Sequence, residues 1–164
     1  GYANGAYVKE AKSIEEIRAF SQMLKMNYSY NIRKNFPCIE YFEYFDEKAV
    51  HSGMGRIFIV IYKDKIIGGS VLVFSKTNAY LLFSGGIKKT YKKLYPGVLA
   101  IWEALKFAQK EGYEHLEYMD VGLPFKKHGY RDFVLRFGGQ QKSSRRWFRL
   151  KWSFLNNFFV RIYT

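Results

Sequence analysis

Cysteine occurs once in the 164 residues, at Cys38, which excludes an intramolecular disulfide framework and fits a reducing, cytoplasmic setting. No apolar run approaches the roughly 18 residues that a membrane-spanning helix needs. No stretch resembles a secretory signal, an internal repeat or a low-complexity tract. No set of His, Cys and carboxylate residues has metal-ligand spacing, so no metal is expected. Acidic residues are scarce, 14 against 27 Lys and Arg, which leaves a formal net charge of +13. After Asp132 there is none, while Arg136, Lys142, Arg145, Arg146, Arg149, Lys151 and Arg161 follow. A field of this sign favours anionic partners: nucleic acid, a phosphorylated donor or acceptor, or an anionic membrane surface.

Apolar residues are plentiful, at 48%, and aromatics reach 20%, too many for a disordered chain. The length suits one domain with a full core. The opening hexapeptide Gly1–Ala6 (GYANGA) starts with Gly rather than Met and reads as a linker. The expected domain is therefore residues 7–164, cut from a longer protein.

Ser13-Ile14-Glu15-Glu16 is a capping-box signature, and Ile14, Ile17, Phe20 and Leu24 recur at helical spacing, which predicts a helix over Ser13–Met26. A second helix is expected from Cys38 to Val50, with Ile39, Phe42 and Phe45 inward, closed by Ser52-Gly53-Met54-Gly55. Three β-rich runs follow, Arg56–Tyr62, Ile66–Phe74 and Tyr80–Ile87, the first two joined by Lys63-Asp64-Lys65. Gly68 and Gly69 within a strand imply a bulge or a close backbone approach. Pro96 opens a further helix with an apolar face of Val98, Leu99, Ile101, Trp102, Leu105 and Ala108, and Gly112 ends it. A strand from His115 to Asp120 comes next, then a short helix near Lys126, a strand over Arg145–Leu150 and an amphipathic close. Because a helix separates the runs at Tyr80 and His115, these two strands can pair in parallel. The expected class is α/β (α+β): a mixed central sheet built on an antiparallel meander, with flanking helices.

The richest stretch is Gly112–Gly139. It sets a carboxylate, Asp120, where a strand runs out, and follows it with glycines and clustered cations. Together these point to a site for an anionic ligand. Lys88, Lys89, Lys92 and Lys93 immediately precede the helix opened by Pro96-Gly97, and ammonium groups beside a helix N-terminus form a second anion site. Asp120 serves equally as a general base or as a cap for the following turn. His128 is a weaker base candidate, His115 reads as structural and His51 as loop surface. Tyr28, Tyr30 and Tyr130 line a groove or pack in the core. Cys38 has no His nearby in sequence and is no nucleophile candidate.

Several motifs in order resemble the GNAT acyltransferase fold, in its FemAB-like branch of peptidoglycan-bridge aminoacyltransferases and related acetyltransferase-like proteins. They are Tyr28-Ser29-Tyr30-Asn31-Ile32-Arg33, Ile66-Ile67-Gly68-Gly69, Pro96-Gly97-Val98-Leu99, Asp120-Val121-Gly122, Gly129-Tyr130-Arg131-Asp132-Phe133 and Phe137-Gly138-Gly139. The resemblance implies amide-forming acyl transfer to an amine of a cell-envelope precursor or related small molecule, with acyl-CoA or aminoacyl-tRNA as donor. It implies a splayed parallel pair made by Tyr80–Ile87 and His115–Asp120, with the acyl group between them. It also implies catalytic roles for Asp120 and Tyr130. Substrate or donor binding would fall to Lys88, Lys89, Lys92, Lys93, Gly97, Lys126, Arg131 and Arg136. That branch carries two such folds per chain, and this one resembles the C-terminal copy, so an upstream second domain is implied. Where the family places Lys after Phe133, this chain has Val134, and Arg131, Arg136 or Lys126 would supply the charge.

Two other readings stay open: a non-catalytic GNAT-like binding or scaffold module, and a basic RNA-binding domain. The tail from Arg145 to Leu155 interleaves cations with aromatics. It reads first as a strand with one buried face, then as a membrane-interface segment at the inner membrane surface, then as a surface that stacks on single-stranded RNA.

Overall fold

The run Gly55–Tyr62 (GRIFIVIY) sends successive side chains to opposite sides of a strand and has apolar residues on both, so it can sit only where both faces are covered. In the computed structural model it does. The structure describes residues 1–29, 36–119, 121–122, 127–142, 151–155 and 157–158. They divide into two compact units, Gly1–Asp120 and Val121–Thr164.

In the first unit the elements run β1 (Tyr7–Glu10), α1 (Ile14–Ser29), α2 (Ile39–Phe45), β2 (Gly55–Tyr62), β3 (Lys65–Ser75), β4 (Asn78–Gly86), α3 (Pro96–Lys110) and β5 (His115–Tyr118). The sheet order is β1-β2-β3-β4-β5, antiparallel from β1 to β4 and parallel between β4 and β5. The expected mixed sheet with an antiparallel meander and flanking helices is what forms.

Ile57, Ile59 and Ile61 of β2 join Val71 and face α1 and α2, where Ile17, Phe20, Leu24 and Phe42 are almost fully buried. Val60 and Ile67 face the other way and pack with Leu94, Leu99 and Ala100. One apolar strand therefore carries two cores. The capping box forms with its return bond shifted by one residue: Glu16 N–H donates to Ser13 Oγ (3.3 Å), and the Glu16 carboxylate reaches past Ser13 to accept from Lys12 N–H (2.9 Å). The β2–β3 turn holds Lys63 and Asp64 at φ 47° and 59°, the two left-handed residues of a type I′ hairpin.

Several boundaries differ from expectation. The second helix is regular only through Phe45, and Asp46–Val50 widens into a π-type turn in which His51 N–H reaches Asp46 O (3.0 Å). Strand β1 went unread because four residues alternating in exposure carry little periodicity, and its pairing with β2 is what makes it a strand. Gly1–Ala6 holds a short 3₁₀ turn, with Tyr2 Oη donating to Glu103 (3.0 Å) and Ala6 buried.

Helix α3 buries Leu99, Ile101 and Ala108 of its expected face but leaves Val98 and Trp102 outside. Val98 and Trp102 are 37% and 49% exposed, whereas Pro96, Gly97, Ala100, Ala104 and Ala108 are buried. Small residues at i, i+4 and i+8 let the helix lie close to the sheet, and the buried Ser70 Oγ donates to Ala100 O (3.1 Å). Dispersion falls steeply with distance, so close approach outweighs the larger area of Val and Trp.

In the second unit, α4 (Gly129–Leu135) is a short helix capped by His128, whose Nδ1 accepts from Arg131 N–H (3.4 Å). It is the helix expected near Lys126, starting at Gly129. The strand expected over 145–150 lies outside the described residues. At 151–155 the strand reading of the tail is overturned. Residues 153–155 are helical, and Trp152 and Phe154, which strand alternation would bury together, are 63% and 70% exposed.

Candidate active site

Strands β4 and β5 pair in parallel from Asn78–His115 to Leu81–Tyr118, with Met119 N–H donating to Leu81 O (3.2 Å) as the pairing ends. Among the described residues β5 goes no further. Strand β4 continues along β3 to the Gly68–Gly86 pair, but with a shift between Val71–Phe83 and Leu72–Leu81 that leaves Leu82 as the extra residue. The bulge therefore falls where the parallel ladder stops. A bulge bends its strand and increases local twist. Among the described residues the 82–86 segment of β4 pairs with β3 and has no partner from β5.

On the α1–α2 side the ring of Phe83, just past the bulge, is enclosed by aromatics. Its centroid lies 5.7 Å from Phe42, 5.9 Å from Phe36, 6.1 Å from Tyr41 and 6.4 Å from Tyr28. Burial pushes the Tyr41 hydroxyl above its usual range, so it stays protonated at neutral pH. Tyr28 thus packs on the core's edge, and Tyr30 lies outside the described residues.

Toward its C-terminal end β4 meets α3. A Cβ on Gly86 would lie 2.5 Å from Gly97 N and 2.9 Å from Pro96 C, and one on Gly68 would lie 3.0 Å from Pro96 Cβ. The first turn of α3 therefore rests directly on the sheet backbone at two paired glycines. Gly68-Gly69 was legible as a close approach. The equal significance of Gly85-Gly86 was missed, although the same doublet signals it.

The segment between Gly86 and Pro96 carries the four lysines. Lys88 and Lys89 are exposed in a turn, and exposed Lys92 and Lys93 lie in a 3₁₀ turn ending at Leu94. Tyr95 caps α3 at φ 52°, with no side-chain cap, and accepts from Val98 and Leu99 N–H. There is no acidic residue in the first turn of α3, nor anywhere between Asp64 and Glu103 in the chain. A 15-residue helix dipole, uncapped amides and a lysine-rich approach concentrate positive potential at one point.

Tyr130, Arg131 and Arg136 belong to the second unit. Tyr130 sits 6.4 Å from the Phe133 ring, Arg131 is 9% exposed, and exposed Arg136 ends α4. Val134 is buried, as its side chain requires. Asp120 and Lys126 lie outside the described residues. His115 is exposed at the start of β5, and exposed His51 faces Asp46 (Nδ1 to the carbonyl oxygen, 2.8 Å). Among the described residues no three or more His, Cys, Asp or Glu gather as metal ligands, and no helix is long and apolar enough to cross a membrane.

The family model described as acetyltransferase (GNAT) domain matches residues 9–127. The chain belongs to the GNAT acetyltransferase domain family. The GNAT architecture also recurs in solved structures. An aminoglycoside acetyltransferase from an uncultured soil metagenomic sample, in complex with sisomicin, superposes with TM-score 0.64 at 13% identity, covering 92% of this chain and 100% of that one. A predicted acetyltransferase with acetyl-CoA from Clostridium acetobutylicum gives TM-score 0.64 at 11%, covering 89% and 96%. A ribosomal-protein-alanine N-acetyltransferase from Brucella melitensis gives 0.62 at 9%, covering 89% and 99%. At these identities the likeness establishes the GNAT fold and nothing finer. No curated protein matches the chain.

Proposed function

We propose that this GNAT domain transfers an acyl group from acyl-coenzyme A to an amine of a small molecule. The observation that carries this reading is the coincidence of three features along one segment. The β4–β5 ladder ends at a bulge, β4 runs on to a glycine-cushioned helix start, and that start is acid-free and approached by four lysines. The donor's elongated, diphosphate-bearing shape fits such a place: amides and ammonium groups for its phosphates, and an open strand edge for its acyl amide arm.

Acyl-coenzyme A supplies an activated thioester when bound. The chain's own residues then have three tasks: to hold the donor, to align the amine, and to take its proton. Lys92, Lys93 and the first-turn amides at Gly97 hold the phosphates, and Lys88 and Lys89 add to the field. The 82–86 backbone of β4 orients the acyl arm. The Asp120 carboxylate takes the proton of the amine. Tyr130, Lys126, Arg131 and Arg136 are proposed for substrate handling from the sequence motif alone, as is a cell-envelope amine as acceptor. The same resemblance is the sole support for an aminoacyl-tRNA donor, for the FemAB-like branch and for a partner domain upstream, while treating 7–164 as one domain rests on length and the linker-like opening.

Acetyl-CoA at a hundredfold excess over its Kd should stabilise the protein by about 2.7 kcal/mol, a Tm rise of about 5–10 °C. Lys92→Ala with Lys93→Ala should raise the acetyl-CoA KM about tenfold and leave kcat near its starting value, the loss of about 1.4 kcal/mol expected for phosphate contacts at an exposed site. Asp120→Ala should abolish transfer. No stabilisation by saturating acetyl-CoA would refute the donor assignment, and undiminished turnover in Asp120→Ala would refute the base.

One observation favours a second reading. Buried Val134 stands where the FemAB-like motif has Lys, which suits a module that binds donor without transferring. Stabilisation by acetyl-CoA with no turnover on any amine would select it.

A further inference from the structure

We propose that the C-terminal segment docks the protein on an anionic lipid bilayer, with Trp152 and Phe154 entering the headgroup region. Seven of the 13 net positive charges fall in the last 32 residues, where there is no Asp or Glu to offset them. Within that segment Trp152 and Phe154 are 63% and 70% exposed, side by side with exposed Lys151, on backbone that turns helical at 153–155. Burying each ring would be favourable, so their exposure leaves a free-energy gain unclaimed by the fold.

The order of residues decides between the anionic partners. Between Lys151 and Arg161 there is no cation, and the interval reads WSFLNNFFV. An apolar centre flanked by basic residues is the arrangement of an interfacial anchor: rings and aliphatics enter the acyl boundary while cations stay among the headgroups. A strand of nucleic acid would suit the cations and rings interleaved over 145–152 but would leave the uncharged 152–160 run unmatched. A bilayer takes both, cations among headgroups and apolar residues at the acyl boundary. Trp also favours the membrane–water interface over either bulk phase.

The test uses the full 164-residue chain and sedimentation with vesicles of phosphatidylcholine alone or with about 30% phosphatidylglycerol. Binding is expected to the phosphatidylglycerol vesicles only, and to weaken more than tenfold between about 0.1 and 0.5 M salt. Each cation near such a surface contributes about fivefold to partition, so Lys151→Glu should lose about tenfold or more. Trp152→Ala with Phe154→Ala should also lose at least tenfold. Because both rings are solvent-exposed, this variant should keep the wild-type circular dichroism and Tm. Four results would overturn the proposal: no binding to the charged vesicles, equal binding to both kinds, unchanged partition in the double variant, or polyuridylate that binds more tightly than vesicles and is itself released by the double variant.

Discussion

Gly86→Ala probes the contact on which the candidate site depends. The new Cβ would stand 2.5 Å from Gly97 N and 2.9 Å from both Pro96 C and Pro96 Cβ. Ordinary contact between such atoms is about 3.5 Å, and the obstructing atoms are backbone and a proline ring, none of which can rotate aside. The first turn of α3 must therefore retreat by about 0.5–1 Å, a gap that forfeits a quarter to a half of the dispersion well along its lining. That lining includes buried Pro96, Leu99 and Ala100, and Gly68 on the paired strand. The expected loss is about 2 kcal/mol, within the range for overpacked cores, or a Tm lower by about 4–8 °C. Urea denaturation measures it directly. The acetyl-CoA KM should rise with it, because the helix start is displaced. Gly97→Ala is the matched control: a Cβ there meets nothing within 4 Å. Its stability should hold or improve by up to about 1 kcal/mol, while the donor KM rises if the phosphates approach that backbone. Stability of Gly86→Ala within about 0.5 kcal/mol of wild type would refute the close-contact reasoning.

Two further outcomes rest on local geometry. The Lys12 amide, and after it the Lys9 ammonium, hold the Glu16 carboxyl below its ordinary range. A depressed carboxylate contributes stability that is present above its unfolded value of about 4.3 and fades as pH falls through the lower folded value. Glu16→Gln should therefore lower stability at pH 7 and flatten the acid limb of the stability curve, and an unaltered limb would count against the capping box. Asp64 holds a left-handed φ of 59° in the β2–β3 turn, so Asp64→Gly should stabilise by about 0.5–1 kcal/mol in a thermal melt; a loss would mean that its side chain makes a contact worth more than the backbone strain.

Legibility along the chain followed the range of the interactions involved. The Ser13 capping box, the Pro96 helix start and the Lys63-Asp64 turn depend on neighbours within a few residues, and each forms where its residues stand. Strand β1 needed β2, about fifty residues away, to become a strand at all. The inward face of α3 was legible at Leu99, Ile101 and Ala108 but not at Val98 and Trp102, because hydrophobic size is visible in sequence, while the glycines that reward small residues there come from two other strands. The bulge at Leu82 has no residue signature of its own. For the tail, strand alternation implied one buried face, yet Trp152 and Phe154 point outward, since burial requires a partner surface that no periodicity can supply.

The sequence by itself determined the order of elements from α1 to β5, the mixed α/β class, the acid-free stretches and the lysines ahead of Pro96, because these are properties of composition and local spacing. Only the tertiary structure decided where β4 and β5 part, that the parting coincides with a bulge, and that Gly68 and Gly86 seat the α3 terminus against the sheet. Those three facts concern atoms brought together from distant parts of the chain, and steric exclusion between them exists only once the core has closed.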